Sequence, residues 1–178
     1  MAVWDHVVFE EFAVGDRRSI GNADRLAVLA ADDVRLFDAL IDALSSDDPV
    51  VRMRAADAAE KASRRTPSLL ASYKATLLER LAQVEQQEVL WHLLQMLPRF
   101  SLTPNERAQG FEVAVRSINH KSRVVAAEAL SAMFALAGSE PLMRKRADAT
   151  VEQALTSPSA AVRARARKLT RSIRADKA

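Results

Sequence analysis

Four residues of one stretch, Glu88, His92, Gln95 and Arg99, fall at i, i+4, i+7 and i+11 of an otherwise apolar run, so a helix would set them in one strip. An acid, an imidazole, an amide and a guanidinium in line can grip a peptide or bond to neighbouring helices. Arg54, Asp57 and Lys61 of the stretch DDPVVRMRAADAAEKA join them as candidate partner-binding residues, on a solvated face opposite the packed Val51, Ala55, Ala58, Ala59 and Ala62, where Asp57/Lys61 and Glu60/Arg64 pair at i,i+4. Near the C-terminus Arg163, Arg167, Arg171 and Arg174 form a stripe flanked by Arg165 and Lys168, a candidate site for anions or nucleic acid. Guanidinium forks match carboxylate and phosphate, and without a base-reading motif such binding would be backbone-driven and salt-sensitive. Arg17 and Arg18 lie in GDRRSIG between two glycines, a candidate anion nest that lacks the spacing of a phosphate-binding loop.

Chemistry of other kinds finds little support. There is no Cys, which removes disulfides, thiolate metal sites and Cys nucleophiles. His6, His92 and His120 are far apart and none begins an HExxH motif. No Ser/His/Asp set is readable, so no catalytic, cofactor or metal site is expected, and the chain is expected not to be an enzyme.

The elements that must carry these residues are helices. Of 178 residues 49% are hydrophobic but only 5% aromatic, and Gly and Pro number 4 and 6, which suits an all-α core of Leu, Val and Ala. The prolines mark boundaries. Asp48-Pro49, Thr66-Pro67, Thr103-Pro104 and Ser157-Pro158 each set a capping side chain before a Pro at a first helical position, and Thr103 with Glu106 has capping-box spacing. Pro141 falls within a first turn and Pro98 where a helix must end. Residues 1–13 read as a short amphipathic cap helix containing Trp4, with Gly15 as its stop; Asn22 caps a helix to Ala30, and Asp32 another from Asp33 to Leu44. A second helix from Glu85 to Leu97 is apolar over most of its circumference, with Trp91 packing in the core. The last helix buries Val162, Ala166, Leu169 and Ile173.

Val51, Gln87, Ser122 and Val162 hold equivalent places in second helices at spacings of 36, 35 and 40 residues. VRMRAADAA, SRVVAAEAL and VRARARKL correspond clearly and QEVLWHLLQ mainly by position. The following residue is Arg52, Glu88, Arg123 or Arg163, preceded in three repeats by Asp48, Asn119 or Ser159. In this the chain resembles HEAT repeats of the armadillo type, which have an Asp in the inter-helix turn and an Arg early in the second helix, linking repeats in a ladder. Glu88 departs from that pattern. SDDPVVRMRAADAAEKA and WHLLQMLPRF also resemble an uncharacterised bacterial HEAT-repeat group. The resemblance implies a right-handed α-α superhelix, one solenoid domain over 1–178, with cap helices in 1–32 and about four hairpins in 33–175. HEAT-fold di-iron hydroxylases use a His-Glu dipeptide, absent here, and HEAT-like DNA glycosylases place Trp and Asp together, whereas Trp91 has no Asp within a helical turn.

Charge is uneven: residues 1–48 carry 4 Lys/Arg against 11 Asp/Glu, and residues 141–178 carry 10 against 3. No apolar run is long enough to span a membrane, and the acidic start lacks the basic region of a signal peptide, so the cytoplasm is the expected compartment. The expected function is a non-catalytic scaffold that binds a protein partner on its concave face. The alternative is nucleic-acid backbone binding through the C-terminal arginines, and a third expectation is salt-sensitive self-association of acidic with basic ends.

Overall fold

The computed structural model describes residues 8, 10–12 and 21–175, and every regular element among them is a helix. Trp4, His6, Gly15, Arg17 and Arg18 lie outside the described residues; of the cap helix, Val8 and residues 10–12 are helical. The α-helices are α1 (Ala23–Ala30), α2 (Val34–Ala43), α3 (Pro49–Arg65), α4 (Lys74–Gln83), α5 (Gln87–Met96), α6 (Pro104–Ser117), α7 (Arg123–Ala137), α8 (Pro141–Ala154) and α9 (Ala160–Ala175). Short 3-10 helices occupy Pro67–Tyr73 and Leu97–Arg99.

Local chemistry explains most of these boundaries. Asp48 accepts the Val50 N–H at 2.8 Å with Pro49 at the first position of α3. Thr103 and Glu106 close a capping box, Thr103 N–H donating to Glu106 Oε2 at 2.7 Å and Glu106 N–H to Thr103 Oγ1 at 3.3 Å. Glu140 takes the Leu142 and Met143 N–H groups ahead of Pro141. Gly138 closes α7 at φ 49°, where a side chain would be strained.

Four expectations shift. Asp33 rather than Asp32 caps α2, accepting the Arg35 N–H at 2.9 Å. Asn22 heads α1 but donates its amide to Glu11 instead of capping the backbone. Pro67 opens a 3-10 helix without a side-chain cap. Ser157 and Pro158 precede α9, which starts at Ala160: Ser157 Oγ accepts the Ser159 N–H at 3.2 Å, and Ser159 Oγ lies 3.4 Å from the Val162 nitrogen. The Ser157 hydroxyl therefore forms a turn one step ahead of the helix.

The chain divides into two compact units, Met1–Phe100 and Ser101–Ala178. In the first, α1, α2 and α5 all pack on α3. In the second, α6, α8 and α9 all pack on α7. Both central helices are rich in small apolar residues: α3 buries Val51, Ala55, Ala56, Ala58, Ala59 and Ala62, and α7 buries Val125, Ala126, Ala127, Ala129, Ala132 and Ala137. Small side chains let neighbours approach on several sides, so α3 is covered over most of its circumference, while α7 keeps Val124 and Ala135 exposed. No described helix is long and apolar enough to cross a membrane.

Candidate functional site

The polar residues singled out on α3 and α5 meet each other. Arg54 is fully buried, which corrects its expected place on a solvated face; its Nη1 donates to the Phe12 carbonyl, and its guanidinium carbon lies 3.1 Å from where a Cβ on Gly21 would stand. Asp57 and Glu60 are buried too, so α3 has no wide solvated side. The expected i,i+4 pairs form, Lys61 Nζ to Asp57 Oδ2 at 2.7 Å and Arg64 Nη2 to Glu60 Oε2 at 2.6 Å, with the acid of each pair inside. Lys61 also reaches Asp24 on α1 at 2.5 Å.

The α5 strip points at the same row. His92 is buried, its Nδ1 3.2 Å from Gln95 Oε1 and its Nε2 3.8 Å from Asp57 Oδ1, the latter too long for a hydrogen bond. From the 3-10 turn after α5, Arg99 donates to the Glu60 carbonyl (3.1 Å), to Ser63 Oγ (3.0 Å) and to the Glu60 carboxylate. Glu88, half-buried, accepts from the adjacent Gln87 at 2.9 Å and meets no other hydrogen-bond partner among the described residues. Trp91 is half-buried and stacks on His92 at 4.6 Å, rather than sitting in the core. Burial pushes the His92 imidazole below its ordinary pKa, against the pull of Asp57 and Glu60. Burial alone would raise Glu60, but the Arg64 and Arg99 hydrogen bonds overcome it and hold that carboxyl below its usual range. For Lys61 desolvation is likewise overcome, by Asp24 and Asp57, and its pKa is raised. This network ties α1, α3 and α5 together, leaving Glu88, Gln95 and parts of Lys61 and Arg64 at its rim.

A cleft of about 570 Å³ lies elsewhere in the first unit, at the turns that join its helices. Leu44, Val84 and Val89 supply apolar lining, and Arg52, Arg80, Asp47, Glu79 and Glu85 supply charge. Its cations are locked on the turn after α2. Arg52 Nη1 donates to the Ser46 (2.7 Å) and Asp47 (3.1 Å) carbonyls, its Nε to Gln86 Oε1 at 2.8 Å, and Gln86 returns a bond to the Pro49 carbonyl at 2.8 Å. Arg80 donates to the Leu44 carbonyl (2.8 Å) and Ser45 Oγ (2.6 Å). Asp47, Glu79 and Glu85 are exposed, and their carboxylates meet no hydrogen-bonding or ionic partner among the described residues. The cleft thus presents bare carboxylates beside engaged guanidiniums.

In the second unit the arginine stripe is split. Arg163 Nη1 grips the Ser157 (2.7 Å) and Pro158 (3.0 Å) carbonyls, the bonds Arg52 makes to its own turn. Arg165 donates to Ser131 Oγ (2.6 Å) and Glu128 Oε2 (3.0 Å) on α7. Arg167, Lys168, Arg171 and Arg174 stay exposed, and Leu169 and Ile173 are half-buried rather than buried. Upstream, Arg144 pairs with Asp148 at 2.9 Å over the Phe134 ring, and Arg146 pairs with Glu112. His120 Nδ1 accepts the Ser122 N–H at 3.0 Å, a turn-forming role.

The cleft, with Arg80 and Gln86, escapes a reading by helical periodicity, because its walls come from turns. One signal was present: Arg52 and Gln86 stand 34 residues apart and Arg80 and Leu44 36, close to the spacing of Val51, Gln87 and Ser122 in the sequence. No family model matches the chain, and no curated protein matches it either.

Proposed function

We propose that the chain is a non-catalytic helical-repeat scaffold of the HEAT kind that binds a protein partner, taking a basic segment of that partner into the first unit's cleft. The observation that carries this reading is the trio of exposed, unengaged carboxylates, Asp47, Glu79 and Glu85, around a cavity whose own arginines are held on backbone carbonyls. Its volume lies within the roughly 300–1,000 Å³ of ordinary ligand sites. The candidate groups Arg54, Lys61 and Arg99 support the scaffold side of this reading, because their bonds to the Phe12 carbonyl, to Asp24 on α1 and to Ser63 on α3 run between elements and hold the unit together. Affinity capture at physiological salt tests it. The intact chain retains a specific protein, and the Glu79→Lys, Glu85→Lys double variant binds it at least tenfold more weakly, a difference of about 1.4 kcal/mol. Capture of no specific protein, or equal capture by both, contradicts the reading.

Exposure of Arg167, Lys168, Arg171 and Arg174 favours a second reading, attachment of nucleic-acid backbone to α9. Titration of duplex DNA or RNA at two salt concentrations decides it, since phosphate contacts weaken steeply as salt rises. No binding at low salt removes this reading.

A further inference from the structure

The second helices carry a row on which the next helix of the unit docks. Six, nine and twelve residues beyond the equivalent positions Val51, Ser122 and Val162 stand Asp57, Glu60 and Ser63 in α3, Glu128, Ser131 and Phe134 in α7, and Lys168, Arg171 and Arg174 in α9. On α3 the row receives α5 through His92 and Arg99. On α7 its acid and hydroxyl receive α9 through Arg165. On α9 the row is exposed and its sign is reversed, cations standing where the inner helices hold acids, hydroxyls and the Phe134 ring. A neighbour that docks there must therefore bring carboxylates.

We propose that the α9 row is a docking face for a second copy of this chain, whose first-unit cleft takes it. This rests on the cleft being a site for a basic segment. Lys168 to Arg174 spans about 9 Å at 1.5 Å per residue, so three cations one turn apart meet three carboxylates around one cavity. The wider charge agrees: residues 1–100 hold 12 Lys/Arg against 16 Asp/Glu, and residues 101–178 hold 14 against 7. On α2, beside the turn that forms one wall of the cleft, Asp38 and Asp42 are exposed at i,i+4, a like-charge pair that repels itself and attracts a cationic helix. The two faces differ, so the contact is heterologous and builds rings or open chains rather than a two-fold dimer.

Sedimentation of the full chain over a wide concentration range tests this. The mean mass rises with concentration at low salt and returns to that of one chain at high salt. The Lys168→Glu, Arg171→Glu, Arg174→Glu triple variant and the Glu79→Lys, Glu85→Lys double variant each stay monomeric alone and assemble when mixed. All five positions are exposed, and unchanged thermal melts verify that both variants fold. A parallel arm titrates a synthetic Pro158–Arg174 peptide into the intact chain. Peptide binding by a chain that stays monomeric overturns the second-copy inference and leaves the cleft reading standing; absence of both overturns both. Assembly that ignores the reversals overturns the inference, as does a monomeric chain whose triple variant loses affinity for duplex DNA.

Discussion

Arg54 shows how a charge is kept inside an alanine-rich unit. Its guanidinium is sealed from water and donates to the Phe12 carbonyl, and Gly21, at φ 54°, lies against it with no side chain in the way. Gly21→Ala therefore meets both left-handed strain and a contact of 3.1 Å with Arg54. We expect it to lower stability by about 1–2 kcal/mol, read from urea unfolding, with an unchanged midpoint as the contrary result. His92 carries a pH signature. Burial lowers its folded-state pKa below the ordinary 6.5, so in that window the unfolded chain binds more protons, and stability rises with pH. Stability is thus complete above about pH 6.5 and declines as pH falls toward the depressed value. Glu60, held below its ordinary 4.5, adds a further loss only at lower pH. Between about pH 7.5 and 5.5 the wild type should lose more stability than His92→Gln; equal slopes would show that the buried imidazole does not titrate in this range.

Among elements, the decisive device is a cation that reaches back 34 to 36 residues. Arg99 bonds Ser63, 36 residues before it, Arg165 bonds Ser131, 34 before, and Arg146 bonds Glu112, 34 before. Removing Arg99 leaves the buried Glu60 carboxylate with fewer donors, a loss of about 2–4 kcal/mol. Arg99→Lys should recover less than half of it, because one ammonium cannot serve the carboxylate, carbonyl and hydroxyl that the planar fork serves together. Chemical unfolding of both variants checks this, and full recovery by Lys would refute the fork's role. Here the limits of the sequence become concrete. Asp48-Pro49 and Thr103 to Glu106 are local signals, and both helices start where those residues say. Helical periodicity assumes one buried arc and so sets Arg54 and Asp57 outward, whereas α3 is buried on several sides and both lie within. The strip of Glu88, His92, Gln95 and Arg99 was legible as a strip; which helix it faced was not, since that depends on packing between residues about 35 apart in the chain. The cleft was illegible for the same reason, being walled by the turn after α2 and the end of α4.

At the scale of the molecule, charge divides with the units. The first has an acid surplus and a cleft with free carboxylates, while the second has a basic surplus and ends in a helix of exposed cations. The carboxylates of Asp47, Glu79 and Glu85 at the cleft and the cations Arg167, Lys168, Arg171 and Arg174 on α9 stay exposed, and these two places carry the binding proposed above. A map of amide shifts in the isotope-labelled full chain, titrated with the Pro158–Arg174 peptide, tests that most directly. The account predicts saturable, salt-sensitive shifts at Asp47, Glu79, Gln83 and Glu85 that vanish in the Glu79→Lys, Glu85→Lys variant. Shifts centred away from the cleft, or none at low salt, would contradict it.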